Sequence, residues 1–164
     1  MRPCPIPPGP GQESVWDYPR PPRLEAVSEC LRVVVRKETI AETRSGYRVL
    51  ETSHPPTYYV PPESIAAGAL RRAGGGSLCE WKGVAAYFDV VAGQRRATRA
   101  AWSYPEADGE FAPIRNYVAF YAGPMDGCWV GEERATPQPG GFYGGWVTSK
   151  IVGPVKGAPG TWGW

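Results

Sequence analysis

The 164-residue chain is predicted to form one mostly β domain of antiparallel strands, with one or two short helices. Three observations support this fold class. Runs of β-branched and aromatic residues are short and are separated by turns rich in charged residues and glycine. The chain carries 19 prolines and 21 glycines, which interrupt long helices. Its hydrophobic fraction of 42% suffices for a packed core, at a length where roughly 70% of the unfolded surface becomes buried.

The first 25 residues, MRPCPIPPGPGQESVWDYPRPPRLE, are predicted to be an extended arm, because proline fixes φ and restrains the residue before it. We expect residues 1–12 to be a mobile extension. Residues 13–157 are predicted to form the domain, with the arm packed on its surface through Trp16 and Tyr18. Residues 158–164 are expected to form a C-terminal tail of Trp and Gly.

Short strands follow the arm. The pattern predicts them near residues 31–36, 38–43, 47–52 and 57–60. The next segment, PPESIAAGALRRAGGG, predicts the clearest helix of the chain. Proline is favoured in a first helical turn, and three consecutive glycines, Gly74 to Gly76, are expected to end the helix.

A long strand is predicted within CEWKGVAAYFDVVAG, with a turn at Gly93. Its partner is RRATRAAWSYP, which ends at Pro105. A loop or helical turn follows, and YVAFYAG predicts another strand with Val118 and Phe120 pointing inward. The long strand alternates between two faces, one with Val84, Ala86, Phe88 and Val90 and the other with Ala85, Tyr87, Asp89 and Val91.

The end of the chain is predicted to hold one more strand and then a segment too rich in Gly and Pro for long regular structure. A flexible linker contains few aromatic rings, whereas this segment contains five. We therefore expect it to wrap its own domain or a neighbouring subunit. The five rings are those of Phe142, Tyr143, Trp146, Trp162 and Trp164.

Composition argues against several classes of protein. The net charge is +2, with cations spread along the chain, so no nucleic-acid or membrane partner is expected. Apolar runs are too short for a membrane span and no signal-peptide pattern opens the chain, so we expect a cytoplasmic protein. The cysteines form no CxxC motif, so free thiols and no metal are expected. They are Cys4, Cys30, Cys79 and Cys128.

Six motifs carry a family resemblance: ESVWDYPRPPRLE, VLETSHPPTYYVPPE, CEWKG, AAWSYPEA, YVAFY and PQPGGFYGGW. Together they resemble the domain-of-unknown-function 427 family (DUF427), also labelled nucleotidyltransferase-like, over residues 13 to about 157. The resemblance implies a β-tent fold, in which two antiparallel sheets meet at an angle. Many β-tent proteins hold zinc in two CxxC knuckles, which this chain lacks. It also lacks the paired aspartates and phosphate-binding loop of a nucleotidyltransferase, so neither that activity nor a cofactor is expected.

ETSHPP contains the only histidine, His54, three residues after Glu51. The two prolines that follow restrict the backbone, so the imidazole is presented rigidly, as a binding or catalytic site requires. Acid–base chemistry by His54 oriented by Glu51 is one interpretation. A buried histidine bonded to a backbone carbonyl, with Glu51 at a strand end, is the other.

CEWKG places four functional side chains in a row. On a strand, Cys79 and Trp81 share one face, while Glu80 and Lys82 share the other. Either a ring and a thiol face a pocket together, or the carboxylate and ammonium form an exposed ion pair.

AWSYP places Trp102 and Tyr104 on one strand face, and pairing with the strand of Trp81 would join three rings in one wall. A plain aromatic core is the alternative. The sequence thus predicts a small organic ligand in an aromatic-lined polar pocket that includes Tyr58, with His54, Glu51 and Lys82 available for catalysis. The competing hypothesis is a structural or interaction module, a homodimer or a partner-binding domain, that docks through the Trp-rich tail.

Overall fold

The computed structural model describes residues 2–79 and 81–164, and its regular structure consists mainly of β-strands, most of them paired antiparallel. The mostly β fold class is thereby confirmed. The strands are β1 (Glu13–Ser14), β2 (Arg23–Val27), β3 (Leu31–Val35), β4 (Glu38–Thr43), β5 (Gly46–Leu50), β6 (Thr57–Tyr59), β7 (Leu70–Cys79), β8 (Gly83–Ala92), β9 (Arg95–Ser103), β10 (Val118–Phe120), β11 (Gly127–Val130), β12 (Glu133–Arg134), β13 (Thr136–Pro137), β14 (Trp146–Val147) and β15 (Ile151–Val152). The 3-10 helices are Val15–Asp17, Pro62–Ser64 and Gly109–Ile114.

Three larger sheets organise these strands. Two have four strands, in the orders β10-β9-β8-β7 and β12-β11-β3-β4, and the third has the order β2-β5-β6. All pairings in them are antiparallel. A bridge between Val60 and Val118 continues β6 onto β10 and so connects two of the sheets. The strands predicted over 31–60 and 83–120 are present, whereas β2 was not predicted.

Apolar clusters cover both faces of the sheet β7–β10. One cluster includes Phe120 and Trp146, and the other includes Trp102 and Ala119. Phe120 and Ala119 are neighbours on β10, so the alternation of side chains along the strand separates the two clusters. Val118 and Phe120 are buried as expected, at 3% and 1% exposed.

The prediction of a helix after residue 60 is wrong. Only the turn Pro62–Ser64 is helical, and the triple glycine lies inside the edge strand β7, which begins at Leu70. Gly68 has a φ of +79°, which an α-helix does not allow. The register against β8 shifts between Arg72 and Gly76, so the glycines form a bulge in a strand and do not end a helix.

Both terminal segments pack on the domain, and the predicted burial of the aromatic anchors of the arm is confirmed. Trp16 is 8% exposed, and its indole donates a hydrogen bond to the carbonyl of Pro154. Strand β1 pairs in parallel with β15, which ties the two ends of the chain together. Trp146 is buried and donates to the carbonyl of Phe120. The C-terminal segment therefore wraps its own domain.

Candidate functional site

The single histidine lies in a tight turn after β5. The main-chain N–H of His54 donates to the carbonyl of Glu51 at 3.0 Å, and Ser53 between them has a φ of +71°, which is uncommon for a non-glycine residue. His54 is 9% exposed. Its Nε2 lies 3.7 Å from a carboxylate oxygen of Glu51, and its ring packs edge-on against Tyr143 with 4.6 Å between centroids. The structure therefore brings Glu51 and His54 together, as the sequence predicts.

Gln138 determines which nitrogen of His54 carries the proton. The amide oxygen of Gln138 accepts from the N–H of Gly145, so its amide nitrogen must be the atom that donates to the carbonyl of Lys156 and faces His54 Nδ1 at 3.1 Å. The Nδ1 atom then accepts a hydrogen bond. The neutral imidazole consequently carries its proton on Nε2, the nitrogen that faces Glu51.

The surroundings of His54 disfavour its charged form. Burial lowers its pKa, and the positive charges of Lys156, Arg20 and Lys82 lower it further, to about 4. His54 is therefore neutral near pH 7. Sequence reasoning did not anticipate this shift, because all three cations are distant in the chain and the partner Gln138 is 84 residues away.

Four of the predicted binding residues lie in one aromatic cluster. Trp102 and Tyr104 are buried in it, and Cys79 and Trp81 pack against it half-buried. The ammonium of Lys82 lies over the ring of Tyr104, 5.3 Å from its centroid. The cluster thus joins the CEWKG and AWSYP motifs. The predicted alternative of an ion pair between Lys82 and residue 80 falls outside the described residues.

Tyr58 lies apart from that cluster. It is buried on the opposite side of the fold and packs on Trp146 at a centroid distance of 5.2 Å. It also lines a cavity of 420 Å³ together with Arg48. In that cavity the guanidinium of Arg48 is already paired with Glu13 at 2.6 Å and Glu25 at 2.7 Å. This network joins the arm to β2 and β5.

A larger cavity, of 640 Å³, opens beside His54 between β8, β9 and the loop around residue 140. Gln138 and Tyr143 line it, and both also contact His54. Further along the wall, the ring of Tyr121 packs on Trp102 at 4.7 Å. The wall consists of Tyr87, Thr98, Arg99, Tyr121, Ala122, Gly123, Pro124, Pro137, Gln138, Pro139, Gly140, Gly141, Tyr143, Gly144 and Gly145.

Sequence reasoning did not select any of these wall residues. Tyr121 and Tyr143 stand inside the motifs YVAFY and GFYGGW, and Tyr87 is opposite Trp102 in the sheet. Their position within or close to a family motif was the signal in the sequence that could have identified these tyrosines as site residues. The predicted residues His54 and Trp102 form the layer behind this wall.

Glycine at position 144 allows the loop to approach the cluster. A Cβ atom built on Gly144 would lie 2.1 Å from the ring of Trp102. Only glycine fits without a shift of the ring or the loop. The aromatic cluster and the cavity are therefore adjacent parts of one region.

The molecule is thus a mostly antiparallel β protein with a tyrosine-lined cavity, and a neutral histidine lies behind the wall of that cavity. Among the described residues, no three Asp, Glu, His or Cys side chains converge as metal ligands would. Nor does this part of the chain include a helix of the length and apolarity required to cross a membrane. The chain belongs to the family described as domain of unknown function (DUF427), whose model matches residues 23–131. A comparison with curated proteins finds no match.

Proposed function

We propose that this protein binds a small organic molecule in the 640 Å³ cavity beside His54. The observation that carries the proposal is the chemistry of the wall, in which three tyrosine rings stand with one amide and one guanidinium. Ligand sites have volumes of about 300–1,000 Å³ and combine apolar rings with a few polar groups. The cavity has both properties.

His54 acts in this proposal as a positioning residue. Its Nδ1 is occupied by Gln138 and its Nε2–H faces Glu51, so neither nitrogen presents a lone pair to the cavity. The imidazole orients Gln138 and Tyr143, which line the cavity. Acid–base catalysis by His54, Glu51 and Lys82 stays a prediction, and the geometry supports binding more directly than proton transfer.

A thermal-shift screen of metabolites on three proteins tests the proposal. The exposed side chain of Thr98 lines the cavity, so Thr98→Trp should fill it. Thr39→Trp makes the same change at an exposed position on β4 and serves as the matched control. A ligand at ~100 times its Kd should stabilise the wild type and the control by about 2.7 kcal/mol.

The proposal expects this stabilisation to disappear in Thr98→Trp. A ligand that stabilises all three proteins equally binds elsewhere and contradicts the proposal. The absence of any hit in a library of aromatic and polar metabolites also counts against it.

The second candidate function, an interaction module, is favoured by exposed rings near the C-terminus. Phe142 and Trp162 are 65% and 55% exposed, and their rings are in edge contact at 6.0 Å. Exposed aromatic clusters are typical of partner-binding surfaces. If they join two copies of the chain, the double variant Phe142→Ser and Trp162→Ser should convert a dimer into a monomer in light scattering. A wild type that is already monomeric contradicts the homodimer.

We also propose a cytoplasmic location. All four cysteines are free thiols, a state that reducing compartments maintain. Fractionation of the native cells tests this location, and recovery from an oxidising compartment contradicts it.

A further inference from the structure

Arg99 determines the charge of the cavity. Among the described residues that line the cavity, it is the only Asp, Glu, Lys or Arg. The carboxylate of Asp89 accepts hydrogen bonds from the side chain of Arg96 at 2.7 Å and from the main-chain N–H of Arg99 at 2.8 Å. Asp89 does not line the cavity. The described part of the wall therefore carries one positive charge and no carboxylate.

The guanidinium of Arg99 is held in place but is not saturated. It lies over the ring of Tyr87, 4.2 Å from the centroid, and among the described residues it donates one hydrogen bond, to the carbonyl of Gly74. A guanidinium has five N–H groups, so donors remain for a carboxylate or a phosphate. Arg99 itself has a φ of +50°, and its N–H bond to Asp89 supports this uncommon backbone conformation.

The rest of the wall suits a flat ring. Tyr121 and Tyr143 contribute aromatic rings to the wall, and the glycines of the loop, such as Gly141, lack side chains that would keep a ring from the backbone. Tyrosine rings also attract cations, but here Arg99 already occupies the face of Tyr87. A cationic ligand would meet like charge at this position.

We infer that the cavity takes a planar aromatic ring that bears an anionic group, with the ring against Tyr121 and Tyr143 and the anion at Arg99. This inference rests on the proposed function and adds the chemical class of the ligand. An aromatic carboxylate and a nucleoside phosphate share this chemistry.

Two matched series of probes test the inference by calorimetry. Indole-3-acetate, indole-3-acetamide and tryptamine share one ring system and differ in charge. Adenosine 5′-monophosphate and adenosine form the phosphate series. A charge-assisted hydrogen bond contributes enough that the anionic member of a series should bind about tenfold or more tightly than the neutral one.

The variant Arg99→Asn removes the charge and keeps a residue type that tolerates positive φ. In this variant, the ratio of affinities between the anionic and neutral probes should fall to about one. Arg44→Asn removes an equal charge from an exposed turn and should leave the ratio unchanged. A ratio retained in Arg99→Asn overturns the inference.

The outcomes separate the inference from the proposed function. Equal binding of anionic, neutral and cationic rings, abolished by Thr98→Trp, overturns the inference and leaves the proposed function standing. A lack of binding by any ring in either series contradicts both. If only one series shows the expected ratio, the inference holds and that series identifies the anion as a carboxylate or a phosphate.

Discussion

The acid titration of His54 provides a prediction that can be worked out in full. His54 is the only histidine of the chain. Burial, followed by the charges of Lys156, Arg20 and Lys82, lowers its pKa from 6.5 to about 4 in the folded protein. In the unfolded chain the pKa returns to its ordinary value. The unfolded state therefore binds a proton at pH values where the folded state does not.

The free energy of unfolding should consequently decrease as the pH falls from 6.5 towards 4. The interval between 6.5 and about 4, at about 1.4 kcal/mol per pH unit, corresponds to about 3 kcal/mol. Above pH 6.5 His54 does not change the free energy of unfolding with pH, because it is neutral in both states. Below pH 4 it causes no further loss of stability, because it is protonated in both states. In His54→Asn the step should be absent, since an amide does not titrate and its oxygen can accept from Gln138 in place of Nδ1.

Urea unfolding of both proteins at a series of pH values measures this step. Carboxylates with a lowered pKa in the folded state, such as Glu13 and Glu133, also lose stabilising interactions at acidic pH. These carboxylates contribute equally to the free energy of unfolding of the wild type and of His54→Asn, so their contribution cancels in the difference between the two proteins. The imidazole signal in NMR gives the folded-state pKa directly. A midpoint near 6.5, or a parallel loss of stability in both proteins, would refute the reasoning.

Two further predictions concern the contacts around His54 and the loop. In Gln138→Glu, the carboxylate would accept a hydrogen bond from the protonated Nδ1–H and attract the positive imidazolium, so the pKa of His54 should rise. An unchanged NMR titration would contradict the contact between residue 138 and Nδ1. Gly144→Ala should destabilise the protein by about 1–3 kcal/mol in urea unfolding, because its Cβ meets Trp102. The control Gly123→Ala, whose Cβ has no neighbour within 4 Å, should cost little, and equal stabilities would argue against the contact.

The segment after β6 shows where local patterns fail. Proline at its start and three glycines at its end are compatible with a helix, but they are equally compatible with a turn followed by a bulged edge strand. Pairing with β8 decides between the two, because the strand makes ladder hydrogen bonds that an isolated short helix cannot replace. Only the partner strand distinguishes the alternatives.

Part of the candidate site could be predicted from the sequence, because local turns and strand pairing bring some of its residues together. Glu51 and His54 are three residues apart, and a local turn is enough to bring them together. The strands of the CEWKG and AWSYP motifs pair in one sheet, and the alternating patterns of the two segments already indicate this pairing. The pairing brings together the side chains of Cys79, Trp81, Trp102 and Tyr104. Tyr58 and Tyr59 look alike in sequence, yet they point to opposite sides, and the sequence pattern does not identify which side faces the cluster.

By itself, the sequence determined the mostly β class, the positions of most strands and the buried aromatic anchors, because side-chain alternation, turn residues and proline act over a few neighbouring positions. The tertiary structure alone decided the cavity and the protonation of His54. Tyr87, Arg99 and Tyr143 reach the same cavity only after the C-terminal loop folds over the sheet. The pKa of a side chain likewise depends on its burial and on the charges that folding brings near it. The residues adjacent in the sequence determine neither of these.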